Sequence, residues 1–400
     1  MTIGSDFRIG VLRLTDAAPL IIARELGYFA REGLDVSLSI EPSWANIADK
    51  LSYGLLDGAM MLPPLALALQ LGLSGGGGPE AVIVPAAMSL NGNTITLAER
   101  WASAVLGNNL GSNGTVSAAE TARRFCAVVR RRRVKPVLGV VHTFSTHNLL
   151  LRYWLATGGI DPDHEVSFTV VPPAETVDAV AAGRIDGFCA GAPWGEVAAR
   201  AGLGRAVATS HSIWNNGAEK VFAVRRALAA HRPDQLQAAL RALLRAAAYC
   251  DLPEHAPSIA ALLSQENYLG LPAEIILTSL PGAAARRREA RHADADISVF
   301  FANAANFPWR SHALWFLGEM RRWGYFAAGA DLEAACGIFR PDLYTQAARS
   351  VGVPVPAATV KSEGCHAESW LLPASPAPIP MGPDRFLDGA LFDATARNSK

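Results

Sequence analysis

One pattern occurs twice in this chain, and any fold that accommodates it must hold two similar units in register. In the first copy a strand-like run, Val36 to Ile40, meets Pro42 and Trp44, a short helical stretch follows, and Gly54-Leu-Leu-Asp-Gly58 delivers the chain to another apolar run. In the second copy Val166-Ser-Phe-Thr-Val-Val runs into Pro172, a short helical stretch follows, and Gly183-Arg-Ile-Asp-Gly187 stands in the place of Gly54–Gly58. The residues upstream repeat as well. Strand Phe7 to Leu12, a loop at Thr15, a helix to Gly27 and a strand Leu34 to Ile40 are answered by Pro136 to Val141, Thr146, a helix Leu149 to Ala156, Gly158-Gly159 and a strand Glu165 to Val171. Matches in register at this many points mark an internal duplication. Thr15 or Asp16 is the expected N-cap of the first helix, with Pro19 in its first turn.

Strands alternating with helices at this spacing predict parallel sheets with crossover helices, whose ligands sit beyond the carboxyl ends of the strands. Two such lobes facing one another form a cleft, and the chain is expected to cross between them near Asn91 to Leu97 and Thr209 to Trp214. The expected organisation is residues 1–96 in lobe I, 97–211 in lobe II, 212–372 returning to lobe I with a helical section packed behind it, and 373–400 as a surface-wrapping tail. Helical spacing marks Asp234 to Cys250, Ala256 to Asn267 and Ser311 to Arg322, while residues 103–125 are poorer in pattern. Ser74-Gly-Gly-Gly-Gly78 reads as a flexible surface loop, because no Lys-Ser or Lys-Thr follows it to meet a phosphate.

Composition excludes several roles. Lys plus Arg equals Asp plus Glu at 36 each, so no overall field draws the chain to nucleic acid or an anionic membrane, and Arg130–Arg133 with Lys135 reads as the solvated end of a helix. The first strand begins near residue 7, which leaves no room for a secretory leader, and five cysteines without paired spacing suit a reducing cytoplasm. No G-x-S-x-G, H-E-x-x-H or C-x-x-C occurs, and neither catalytic residues nor a metal or cofactor site is expected. His142 and His147 read as polar cleft residues before zinc ligands.

The expected cleft edges are rich in donors. Trp44 has an indole N–H, His147 and Asn93 can donate, and the helices starting near Asp16 and Thr146 direct positive dipole ends the same way. Lys220, just after the second crossing, adds a full positive charge. Together these suit a small anion, although each residue alone has a plain structural role: packed indole, surface lysine, helix-capping histidine.

Several blocks resemble the nitrate- and bicarbonate-binding family typified by NrtA and CmpA: Leu14-Thr-Asp-Ala-Ala-Pro-Leu-Ile-Ile-Ala23, Pro42-Ser-Trp-Ala-Asn46, Leu90-Asn-Gly-Asn93, Thr146-His-Asn with Leu151–Ile160, Trp309–Gly324, Phe339–Tyr344 and Phe386–Gly389. The resemblance covers nearly the whole chain. It implies a two-lobed α/β, periplasmic-binding-protein-like (type II) fold, with a ligand cleft between lobes and a helical C-terminal section. It also implies Trp44, His147 and Lys220 as anion-binding residues, Pro172 as pocket lining, and Thr15 and Gly92 beside them in the same motifs. Asn93 stands where NrtA has glutamine, one methylene longer, so a water would intervene there. Most members are exported lipoproteins feeding an ABC transporter. The lack of a leader here resembles the cytoplasmic nitrate/nitrite sensor NasS, whose partner is the RNA-binding antiterminator NasT. The expected partners are therefore a nitrate or nitrite anion and a NasT-like protein, and the alternative is a transporter's solute-binding component. A pocket of donors and one cation without an acceptor favours nitrate over bicarbonate, provided neither Glu219 nor Glu41 faces it. An iron-using pyrimidine-synthesis enzyme of the same fold is disfavoured by the wide spacing of the five cysteines.

Overall fold

The computed structural model describes residues 6–74, 81–107, 116–283, 298–327 and 329–394. Two five-stranded sheets carry the duplication. The first contains β1 (Asp6–Val11), β2 (Asp35–Ile40), β3 (Gly58–Met61), β4 (Val82–Ala87) and a strand from later in the chain. After the short β5 (Leu90–Asn91), the second sheet contains β6 (Asn93–Ala98), β7 (Val137–Val140), β8 (Ser167–Val170), β9 (Gly187–Gly191) and β10 (Gly204–Thr209). The late strand of the first sheet is β11 (Val221–Arg225), which gives that sheet the order β2-β1-β3-β11-β4. Reading the second sheet from its other edge gives β8-β7-β9-β6-β10. In each sheet three parallel strands are followed by one antiparallel strand that has arrived from the other sheet. The two lobes thus exchange β6 and β11, and the chain passes between the sheets twice, before β6 and between β10 and β11.

Periodicity explains most of the helices. Ser43 caps helix Trp44–Ser52 by accepting from the Asn46 N–H, and Ser145 caps helix Thr146–Thr157 by accepting from the Asn148 N–H. The expected caps Thr15 and Asp16 do not cap: they form a 3-10 turn, Thr15–Ala17, both side chains are buried, and the helix proper runs Ala18–Glu25. His147 likewise leaves capping to Ser145. The poorly patterned stretch contains helix Glu99–Leu106 and the start of helix Ala118–Arg132, while residues 75–78 of the glycine loop lie outside the described residues. The expected helix from Ala256 ends at Leu263, four residues short of Asn267. In the basic run, Arg130 pairs with Glu165 and the Arg132 guanidinium stacks over the half of the core held by Trp101.

The C-terminal section is more than a backing for the first lobe. Helix Pro233–Cys250 packs on Ala18–Glu25, and the chain from Ile338 to Arg340 bonds along β4. Helix Arg310–Arg322, however, packs on Pro63–Gln70 in the first lobe and on Thr146–Thr157 in the second. Asn148 Nδ2 donates to Tyr325 Oη at 2.6 Å, and the Arg152 guanidinium lies 5.4 Å from the Trp323 ring centre. The tail also enters the body of the protein. Phe386 stacks on Trp214 at 5.1 Å and lies 5.8 Å from both Tyr153 and Trp315, while the Tyr153 hydroxyl donates to Asp388 at 2.9 Å. Trp214 lies in the second crossing, between β10 and β11, so the tail packs against the chain where it passes between the sheets.

Candidate functional site

The crossings bring charged groups into the interior. Lys220 precedes β11 and is fully buried; its Nζ lies 2.5 Å from Glu219 Oε1 and 3.3 Å from Asp16 Oδ2. Asp16 arrives from the first-lobe turn, where its Oδ1 accepts from the Ser89 hydroxyl at 2.9 Å. Asn93, the first residue of β6, donates its amide to the other Glu219 oxygen. A Cβ on Gly92 would stand 3.0 Å from Asp16 Oδ1, and one on Gly191 would stand 3.3 Å from Asp16 Oδ2. Gly92 also has φ +93°, so both backbone shape and space require glycine there. The lobes meet at this point: Thr15 N–H donates to Ala192 O at 2.9 Å, and Trp194 Nε1 donates to Arg13 O at 3.2 Å.

Around this cluster stand polar atoms with no hydrogen-bond partner among the described residues. Trp44 is the first residue of its helix, fully buried, with its ring centre 5.7 Å from Lys220 Nζ and its Nε1 unpartnered. Across the cleft, Thr146 and His147 open helix Thr146–Thr157; the Thr146 hydroxyl and both imidazole nitrogens are buried and unpartnered. A buried unsatisfied polar group costs about 1–3 kcal/mol, so several close to one lysine are positioned to meet a polar ligand or water.

Burial sets the protonation states. Burial first, and then the nearby charge of Lys220, hold the His147 pKa well below 6.5, so the imidazole is neutral with one nitrogen able to donate and the other to accept. Burial alone would lower the Lys220 pKa, but Asp16 and Glu219 outweigh it and the net shift is upward. Burial, reinforced by Asp16 and opposed by Lys220, lifts Glu219 to about 7. Cys189, on β9, is held as a thiol by burial and by the charge of Glu219.

Of the residues singled out in the sequence, Trp44, Asn93, His147, Lys220 and Gly92 come together here. Thr15 stands at the edge, its hydroxyl 2.9 Å from that of Ser279. Pro172 is half-buried at the end of β8, where its carbonyl accepts from the Glu175 N–H, and no contact among the described residues ties it to the cluster. Glu41 is buried but occupied, bonded to Lys50 at 2.8 Å and Ser39 at 2.6 Å. Glu219 does face the site, so the expectation of a pocket without an acceptor fails: two carboxylates flank the lysine. Asp16 was passed over as a cap. Its signal lay in the repeat, which sets Thr15-Asp16 against Thr146-His147.

Residues 5–264 match the NMT1-like family. The chain belongs to that family. Among its relatives are the nitrate import ATP-binding protein NrtC of Synechocystis sp., 38% identical over 352 residues, covering 86% of this chain and 50% of NrtC. The bicarbonate transport ATP-binding protein CmpC of the same organism is 36% identical over 357 residues, covering 88% of this chain and 51% of CmpC. The chain thus spans about half the length of these two relatives. The crystal structure of the periplasmic nitrate-binding protein NrtA from Synechocystis superposes with a TM-score of 0.83 at 28% identity, covering 98% of this chain and 96% of NrtA. This NMT1-like chain therefore has the two-lobed periplasmic-binding-protein fold, as its sequence implies. No helix among the described residues is long and apolar enough to cross a membrane.

Proposed function

We propose that this chain is a receptor for nitrate or nitrite whose lobes close on the anion, and that it serves as a sensor controlling a NasT-like RNA-binding antiterminator in nitrate assimilation gene regulation. The observation that carries the reading is the set of buried groups without a hydrogen-bond partner among the described residues, Trp44 Nε1, the His147 ring and the adjoining Thr146 Oγ1, with Trp44 and His147 close to the buried Lys220. A planar oxyanion meets a directional donor in each lobe and a cation between them, which is how a ligand favours the closed form.

The 38% identity over half of the nitrate import ATP-binding protein NrtC supports the nitrate reading and fits a sensor and a transporter component alike. The alternative, the solute-binding component of a nitrate or bicarbonate ABC transporter, draws support from the superposition on periplasmic NrtA. Bicarbonate is a live competitor because Glu219 and Asp16 offer acceptors for its O–H.

Binding at micromolar affinity corresponds to about −8 kcal/mol, which can move a two-state equilibrium by several kcal/mol when it is selective for one state. The sensor reading expects nitrate to release the antiterminator from the immobilised protein, with half-release near the calorimetric Kd. Retention or strengthening of the complex at saturating nitrate contradicts it, and calorimetric heat with bicarbonate alone reassigns the ligand.

A further inference from the structure

The buried cluster is out of charge balance for an anion site. Lys220 brings one positive charge, while Glu219 and Asp16 bring two negative ones into contact with it. An anion added to that arrangement places a second net negative charge in a site where all three side chains are at most 1% exposed. Buried like charges relieve such an excess by taking up a proton.

Geometry selects the acceptor of that proton. Asp16 receives the Ser89 hydroxyl on Oδ1, while its Oδ2, 3.3 Å from Lys220 Nζ and without a hydrogen-bond partner among the described residues, faces the close-packed backbone at Gly191, where no side chain can offer a protonated carboxyl an acceptor. Glu219 is bonded on one side to Lys220 and on the other to the Asn93 amide. Among the described residues Asn93 is the neighbour bonded to Glu219 that can serve either state, because its Oδ1 is buried with no partner among them while its Nδ2 donates to Glu219. A half-turn of that amide presents a carbonyl to a protonated Glu219 in place of a donor to an ionised one. The other charged or titratable groups facing the pair are Lys220 beside it, Asp16 from the Thr15–Ala17 turn, Cys189 on β9 and, facing Lys220, His147 at the opening of its helix. Burial holds the last two neutral.

We propose that the site takes its anion together with one proton from solvent, which adds to the Glu219 carboxylate and leaves the Lys220 charge to the ligand. The inference rests on the oxyanion reading above and describes how that site is regulated. The balance is anion plus proton in and no bond broken, so binding draws one proton from the buffer when Glu219 begins ionised. Its pKa in the ligand-free protein, lifted to about 7 by burial, places that regime above neutrality.

The test is titration calorimetry with sodium nitrate in buffers of different ionisation enthalpy. Close to one proton is expected to be taken up per nitrate at pH 8 and close to none at pH 6, with affinity falling about tenfold per pH unit above neutrality. Glu219→Gln is expected to take up no proton and to lose the pH dependence, binding more tightly than the native protein at pH 8. If that variant fails to fold, infrared difference spectra of the native protein at pH 8 replace it, with a protonated-carboxyl band expected to appear on nitrate addition. Nitrate binding at pH 8 with no buffer dependence and no such band overturns the inference while leaving the receptor reading intact. Uptake that survives Glu219→Gln and vanishes in His147→Asn also overturns it. No heat with nitrate, nitrite or bicarbonate overturns the receptor reading, and this inference with it.

Discussion

Lys220 is where the two halves of the chain become electrically interdependent. Its removal leaves Glu219 and Asp16 buried side by side, and breaking a buried ion pair from one side costs about 3–5 kcal/mol. Lys220→Met is therefore expected to destabilise the ligand-free protein as well as abolish anion binding. The loss should be smaller at pH 6 than at pH 8 in urea unfolding, since a carboxyl raised to about 7 by burial is mostly protonated at the lower pH. In the native protein the same raised pKa gives stability that is full below the ordinary glutamate range and lost as pH rises through neutrality. Trp44 needs a gentler probe than truncation, because the side chain is fully buried and its replacement by alanine would open a cavity costing about 3–5 kcal/mol. Trp44→Phe keeps the ring and removes the unpartnered N–H. It is expected to weaken nitrate binding by about 1.5–3 kcal/mol, the range for hydrogen bonds to charged groups, with little change in Tm. That Trp44 and His147 share one neighbourhood is legible in the sequence through the family blocks, and Lys220 through its place just after the second crossing. Asp16 and Glu219 were not, because an acidic residue at a helix start or beside a lysine has a common surface explanation, and only burial shows that neither applies here.

At the scale of elements, the helix openings do the positioning. Ser43 and Ser145 satisfy the first turns of their helices, which frees Trp44 and His147, one and two positions on, to turn inward. The tail does a different kind of work. Phe386 fills the space among Trp214, Trp315 and Tyr153, so Phe386→Ala is expected to cost about 3–5 kcal/mol in urea unfolding, far more than an exposed strap residue would. Tyr325→Phe removes the acceptor that Asn148 reaches at 2.6 Å while leaving the Asn148 bonds to Thr143 O and from Arg152 Nε in place. It is expected to weaken nitrate binding by about 0.5–1.5 kcal/mol by loosening the closed arrangement, and a variant with unchanged affinity would show the bond to be indifferent to closure. Neither contact was legible beforehand. Proline- and alanine-rich sequence gives no period, and an amphipathic helix reveals that one face is buried without revealing against what.

For the molecule as a whole, the duplication explains the two sheets and their exchanged strands, and this much could be read from the Gly54–Gly58 and Gly183–Gly187 matches. The proposed site draws on positions where the copies differ: Asp16 stands against His147 in the register of the repeat, and Trp44 has no counterpart after Pro172. Those asymmetries give one lobe a carboxylate and an indole and the other an imidazole, with Lys220 supplied by the returning chain. The central claim is that the unpartnered groups around Lys220 form an anion site. Its most direct test is calorimetric titration with nitrate of protein unfolded, dialysed free of ligand and refolded, comparing the native chain with Trp44→Phe. The account expects saturable one-to-one binding near micromolar affinity in the native chain, at least tenfold weaker in the variant, at about 1.4 kcal/mol per tenfold. Equal affinity in the two proteins would contradict it.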